Sequence, residues 1–381
     1  MRLEVDIEKK LGSFCLQSCF SVEEETFALL GASGCGKSMT LRCIAGIEKP
    51  DRGRIVLGDT VFFDSEKKIN LPARQRRVGY LFQDYALFPN MTAARNVYCA
   101  AKDRAYADEL ISRFCMEDVA DQYPSELSGG QSQRTALARM LVTKPQILLF
   151  DEPFSALDNF MRTRMEHVIL DLLATFQGPS IFVTHDRNEA YRMAARIGVM
   201  QDGRIAEQKE KREFFDHPQT VAGARLTGCK NISRAFRLEN GSFHATDWGL
   251  KIRIPEGQPM DGVTHIGIRA HYFTYVDPDS LQGEKASGEE HPADQDGRKT
   301  AAKKKKSGSE SEVIQCRLVR VIEDTFETVV CFTAEGNTED TPDALLSWVL
   351  DKKEWNRVKD QVQSGSFSLR MDTERLLYLR E

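Results

Sequence analysis

Alternation of apolar and polar positions in LEVDI and FCLQSCF predicts two strands near the start of the chain. The unbroken apolar run 27–30 predicts a third, buried strand that stops at Gly31. Beyond it the period changes to that of a helix, in SMTLRCIAGIE. GRIVLGDTVFF and VGYLFQ give further strand signals, and residues 104–142 read as mostly helical, most clearly along 131–142. ILLF (147–150) reads as a short buried strand running into Asp151 and Glu152, and SIFVTH as another that ends at His185. IGVM and GRIAEQ close this pattern near residue 210. Strands alternating with helices imply an α/β domain on a largely parallel sheet, with its chemistry at the carboxyl ends of the strands.

After about residue 230 the texture changes to short strand-like pieces: SFHAT, LKIRI, HIGIRAHYFTYV, CRLVRVIE, TVVCFTA and SFSLRM. A small all-β domain is expected over 231–381, following a first domain over 1–230. Residues 277–312 interrupt it with one aliphatic side chain larger than alanine or valine, Leu281. Such a segment cannot bury enough surface to order itself, so a disordered insertion is expected there. Its lysine run 303–306 reads as a solvated loop or as a contact for an anionic partner.

Composition narrows the function classes. At 381 residues, 41% hydrophobic and 29% charged, the chain can build two ordinary cores and needs no disulfide or metal staple. A net charge of -5 lacks the basic footprint of general nucleic-acid binding, so no nucleic-acid partner is expected. The nine cysteines are odd in number and contain no CxxC pair, which favours reduced thiols in the cytosol. The start MRLEVDIEKKLG has charges where a signal peptide has its apolar region, and no apolar run approaches the roughly 20 residues of a membrane span. If a membrane process is involved, another chain must supply the channel.

The chemistry-bearing residues lie at the predicted strand ends. Gly31, Ala32, Ser33, Gly34, Cys35, Gly36, Lys37 and Ser38 form a glycine-rich phosphate loop between a strand and a helix. Its backbone N–H groups turn inward around phosphates, Lys37 reaches the β- and γ-phosphates, and Ser38 ligates Mg²⁺. Asp151 is placed as a second Mg²⁺ holder, and Glu152 to orient or deprotonate an attacking water. His185 can contact the γ-phosphate, though a lone histidine is also a common packed or surface residue. Gln83, after VGYLF, can reach Mg²⁺ or water. Ser128, Gly129, Gly130 and Gln131 read as a second helix start able to accept an anion. Two such starts in one domain suggest that one serves a partner's nucleotide.

LSGGQ between a phosphate loop and ILLFDEP resembles the ATP-binding-cassette family. Gln83, Ser155-Ala-Leu-Asp158 and His185 match its Q-loop, D-loop and switch histidine in order, over residues 1 to about 235. The resemblance implies a P-loop NTPase fold with a helical subdomain at about 86–142. It implies ATP and Mg²⁺ as ligands, and a head-to-tail homodimer in which Ser128 and Gly130 of one copy touch the γ-phosphate held by the other. It also implies integral membrane permease subunits docked on DYALFPNMT, an extracytoplasmic solute-binding protein acting indirectly, and a peripheral place on the cytoplasmic membrane face. Tyr85, Leu87 and Phe88 would otherwise be odd exposed apolar residues.

The β-rich end resembles the regulatory extension of importer ATPases, of TOBE/MOP-like fold. Together with LGSFCL, TGCKNISRA and IGIRAH it looks like molybdate-importer ATPases, with sulfate or tungstate chemically close. Met39 stands where the family usually has a small hydroxyl residue, and the signature continues QSQR rather than QQQR. Phe14 is the nearest candidate to stack on adenine, with Phe20 as the alternative. Two rivals remain: a soluble cassette ATPase acting on DNA or ribosomes, and an oxyanion sensor or store with a vestigial cassette. One cassette with net charge -5 speaks against the first, and intact Lys37, Asp151, Glu152 and His185 against the second.

Overall fold

A computed structural model describes residues 1–155, 157–239, 241–254, 261–277, 312–337 and 342–381. The chain divides into two compact units, Met1–Asp216 and His217–Glu381.

The first unit is built on an eleven-stranded sheet. In chain order its strands are β1 (Leu3–Leu11), β2 (Phe14–Val22), β3 (Thr26–Leu30), β4 (Arg52–Leu57), β5 (Thr60–Asp64) and β6 (Ile69–Asn70), then β7 (Val78–Leu81), β8 (Ile147–Asp151), β9 (Ser180–Thr184), β10 (Arg196–Gln201) and β11 (Arg204–Glu210). Across the sheet they run β6-β5-β4-β1-β2-β11-β10-β3-β9-β8-β7. Its helices are α1 (Lys37–Ala45), α2 (Ala93–Tyr98), α3 (Arg104–Arg113), α4 (Gly129–Leu141), α5 (Asn159–Thr175), α6 (Arg187–Met193) and α7 (Lys211–Asp216).

The largely parallel sheet expected from the sequence is in fact mixed. β10, β3, β9, β8 and β7 pair in parallel. β1, β2, β4, β5 and β6 pair antiparallel. The cause is connection length: two residues join β1 to β2 and two join β4 to β5, and short joints close hairpins, whereas parallel neighbours need a long crossover. Every residue of β8 and of β9 is buried, as befits strands covered on both faces. One core gathers apolar side chains of the sheet around α1. A second joins α2, α3, α4 and α5 to Phe150, Phe154 and Phe182.

The second unit holds two five-stranded antiparallel sheets. One contains Leu250–Ile252, Phe243–Ala245, Asn231–Arg237, His265–Ile268 and Leu377–Leu379 in that order, the other Phe273–Val276, Ser366–Met371, Glu312–Glu323, Glu327–Ala334 and Leu346–Asp351. Their shared core includes Trp248, Trp348, Phe332 and Phe367. The unit is not all-β. A twelve-residue helix, Lys352–Gln363, is capped by the Asp351 carboxylate on the Glu354 N–H. It buries Trp355 and Val362 in that core and packs the partly buried Val358 against it, the three spaced as one face of a helix. Nor does the boundary fall at 230. Val221–Leu226 is a helix whose first N–H donates to Arg380 O, and Cys229 packs with Leu377 and Leu379, so residues 217–230 go with the second unit. The insertion expected at 277–312, with its lysine run, lies outside the described residues apart from its two ends.

Candidate functional site

The phosphate loop is shaped by what lies beneath it. A Cβ on Gly31 would sit 2.4 Å from the carbonyl oxygen of Met200 in β10, so no side chain fits where the loop leaves β3. Gly36 caps α1 at φ 108°, a left-handed backbone that glycine adopts freely. It brings no side chain to the helix start, so no side-chain cap covers the first-turn N–H groups of α1, and these carry the positive end of the helix dipole. Lys37 is 4% exposed, and its ammonium donates to Gly31 O at 2.8 Å and Ala32 O at 2.9 Å. A buried cation held by two carbonyls and a nearby thiol, with no carboxylate among these partners, at an uncapped helix start, is a strong attractor for an anion. Ala32, Ser33 and Gly34 are exposed on the rim. Cys35 is buried beside Lys37; burial pushes its thiol pKa up, and the nearby ammonium opposes the rise. The Met39 side chain is partly buried and packs against the core around α1.

Parallel register places the other groups at the same end of the sheet. Leu81 lies opposite Phe150, Asp151 opposite Val183, and Leu30 opposite Thr184. Lys37, Ser38, Asp151, Glu152 and His185 therefore follow the carboxyl ends of adjacent strands, and Gln83 follows the end of β7, with its side chain exposed. Asp151 is 3% exposed and accepts the Ser38 hydroxyl at 2.6 Å on Oδ1 and the Tyr80 phenol at 2.8 Å on Oδ2. Burial raises the Tyr80 pKa, and the neighbouring Asp151 raises it further. Glu152 takes a left-handed backbone, φ 45°, unusual without glycine and common at functional turns. Its N–H donates to Val183 O at 3.0 Å, and its Oε2 lies 3.2 Å from Nδ1 of the exposed His185. His185 is flanked by its own anchors: Thr184 donates to Glu189 at 2.6 Å, and Asp186 caps α6.

Ser128 caps α4 in a reciprocal box. Its Oγ accepts the Gln131 N–H at 3.4 Å, and its own N–H donates to Gln131 Oε1 at 2.7 Å. Gly129 and Gly130 lie against α5 and the loop before it. A Cβ on Gly130 would come within 2.0 Å of Met161 Cε, and one on Gly129 within 3.2 Å of Leu157 Cδ2. Asp158 caps α5 by accepting the Met161 N–H at 2.9 Å.

Of the two aromatic candidates, Phe20 is 5% exposed and stacked on Phe27 at 5.3 Å, so its faces are taken by the core. The Phe14 ring stays partly exposed, with Cζ 3.2 Å from where a Gly36 Cβ would be. Tyr85 corrects another expectation: it is 6% exposed, within the helical core, while Phe88 is 46% exposed. Tyr85 and Ala86 both have positive φ, 59° and 44°, and their carbonyls are held by Arg139 at 2.8 Å each.

Two contacts escaped sequence reasoning. Gln133, fully buried, donates to Pro153 O at 3.2 Å and ties α4 to the loop after Glu152. Tyr80 grips Asp151; the only signal was an aromatic with a polar tip inside a short strand, which needs a partner when buried.

The Ser38 hydroxyl and Asp151 carboxylate are a hard, all-oxygen pair that suits magnesium beside phosphate oxygens. No cluster of three or more His, Cys, Asp or Glu able to hold a metal alone occurs among the described residues. Loop, buried lysine and strand-end carboxylates together define a phosphate-loop α/β domain.

Comparison with known proteins places that domain more narrowly. Residues 19–155 match the family model described as ABC transporter. The Fe(3+) ions import ATP-binding protein FbpC of Brucella abortus (strain 2308) is 36% identical over 282 residues, covering 71% of this chain and 78% of its own. The sulfate/thiosulfate import ATP-binding protein CysA of Synechococcus elongatus is 38% identical over 261 residues, 66% of this chain and 73% of its own. The putrescine transport ATP-binding protein PotG of Escherichia coli (strain K12) is 40% identical over 216 residues, 55% and 56% respectively. The chain belongs to the ABC transporter family.

Proposed function

We propose that the chain is the ATP-binding subunit of an importer, hydrolysing ATP to drive uptake of a small ion. The observation that carries this is the convergence of Lys37, Ser38, Asp151, Glu152 and His185 at one end of the parallel strands. The ATP phosphates lie in the loop of residues 31–38, against the first turn of α1, with Lys37 leaving its carbonyl partners for the β- and γ-phosphates. Adenine stacks on Phe14. Ser38, Asp151 and Gln83 would hold magnesium, which would supply neutralising charge at the phosphates. Glu152 takes a hydrogen bond from the attacking water and draws off its proton, and His185, beside Glu152, contacts the γ-phosphate.

Ser128, Gly129, Gly130 and Gln131 serve the nucleotide of a second copy. The chain has one phosphate loop of its own, and Ser128 and Gly129 are exposed, which supports a head-to-tail dimer. Separate permease subunits carry the solute and this subunit works peripherally on the cytoplasmic face, a reading supported by the likeness to import ATP-binding proteins; no helix among the described residues is long and apolar enough to cross a membrane. A solute-binding protein outside the membrane acts through the permease. Phe88, exposed beside Gln83 in sequence, is the apolar contact offered to the permease.

The cargo reading is an oxyanion: molybdate on the likeness of the opening and C-terminal segments, with sulfate or tungstate as alternatives. Relatives named for iron, sulfate/thiosulfate and putrescine share 36%, 38% and 40% identity with the chain, so the ATPase unit by itself is a poor guide to cargo. The test is uptake of labelled molybdate, sulfate and tungstate by the complex reconstituted with its permease. ATP-dependent molybdate uptake supports the reading, and sulfate uptake alone moves it to the alternative. If ATP drives no uptake of any ion while the chain still hydrolyses it, the transport role is wrong.

A further inference from the structure

The two carboxylate oxygens of Asp151 are held by different elements. Oδ1 takes the Ser38 hydroxyl from α1, and Oδ2 takes the Tyr80 phenol from β7. A carboxylate turns easily about its last bond, whose torsion is broad and two-fold. A second donor removes that freedom, and a hydrogen bond to an ionised oxygen is about twice as strong as a neutral one. The consequence reaches Ser38. Because its proton goes to Oδ1, its lone pairs are free to face a cation, and they keep that direction only while Oδ1 stays in place. The phenol is well anchored for the task. Tyr80 pairs in register with Leu149 of Asp151's own strand, and its ring lies 4.3 Å from that of Phe82.

We propose that Tyr80 is a positioning residue for the magnesium site. Its phenol fixes Asp151 in the rotamer that aims the Ser38 oxygen at the cation. This rests on the ATP-hydrolysis reading of the same site and goes beyond it, since it assigns the metal's orientation to a strand that carries no phosphate contact. Partners of metal ligands are typically worth 10–100-fold in metal affinity.

Tyr80→Phe keeps the ring and removes only the hydroxyl. The full-length chain is loaded with a non-hydrolysable ATP analogue and titrated with Mn²⁺, read by electron paramagnetic resonance. In parallel, binding of the same analogue is measured in EDTA. The expected result is Mn²⁺ affinity weakened by about 10-fold with metal-free nucleotide affinity unchanged. The Mg²⁺ concentration for half-maximal hydrolysis rises by the same factor, and kcat at saturating Mg²⁺ is retained. Unchanged Mn²⁺ affinity overturns the proposal. So does an equal loss of nucleotide binding in EDTA, because a loop damaged in general loses both. Failure of the unaltered chain to bind the analogue at all sinks the ATPase reading and this proposal together, and is told apart by being independent of the substitution.

Discussion

Two helices in the first unit begin on glycine-rich turns, and they begin differently. Gly36 leads into α1 with no side-chain cap on the first-turn N–H groups, and the buried Lys37 ammonium donates to the Gly31 and Ala32 carbonyls. Ser128 leads into α4 with a complete capping box. Gly36 sits over β2 and β10 side chains, whereas Ser128 and Gly129 are exposed. The contrast teaches what each start is suited to. An uncapped start with a buried cation is suited to being finished by an anionic ligand. A capped, exposed start is stable alone and can stay presented until another molecule reaches it. That is the arrangement a subunit needs if it holds one nucleotide and completes the site of another.

Three substitutions should break this contrast in different ways. Lys37→Ala removes the cation from the uncapped start, and hydrolysis should fall by about 10²–10³-fold, with nucleotide affinity falling too. Phosphate release and nucleotide titration check it; retained activity would remove α1 from the active site. Glu152→Gln leaves both helix starts intact and deletes the base, so turnover should drop by about 10²–10³-fold while ATP holds the dimer closed. Light scattering with ATP present reads this, and a monomer at high ATP would contradict the sandwich. Ser128→Arg alters only the exposed start. Turnover should fall by about 10²-fold with nucleotide binding by the single chain preserved, the reverse of the Lys37 pattern in binding. An unchanged rate would mean that α4 meets no nucleotide.

The first of these starts was plain in the sequence, because strand, glycines and helix each have a local signature and the parallel register does the rest. ILLF running into Asp151 and Glu152 needed no more than an apolar run with a charged end. What failed to show depended on distant contacts. Tyr85 belongs to an apolar stretch that reads as exposed, yet two successive positive-φ residues without glycine turn it inward, and Arg139, distant in sequence, holds the turn. The helix Lys352–Gln363 was hidden by its charges, with Trp355, Val358 and Val362 as a thin apolar stripe among them. Strand periodicity places Tyr80 in β7 but cannot say that its hydroxyl meets Asp151, because that pairing exists only once β7 lies beside β8. The capping box at Ser128, in contrast, was legible as a helix start.

The smallest effects sharpen the comparison at the level of stability. Gly36→Ala brings no loss of a cap, since none is there. It places a Cβ at φ 108°, 2.9 Å from Leu16 Cδ1, and should cost about 1–3 kcal/mol in strain. Ser128→Ala does the opposite: it introduces no clash and removes the acceptor for the Gln131 N–H. That bond is long at 3.4 Å, and the reciprocal bond from the Ser128 N–H at 2.7 Å survives the change. The expected loss is therefore at the low end of capping values, about 0.5 kcal/mol. Chemical denaturation of both variants checks the pair. A loss for Ser128→Ala as large as that for Gly36→Ala would mean that the exposed start depends on its serine for folding, and the idea of a self-sufficient helix start waiting for a partner would have to be given up.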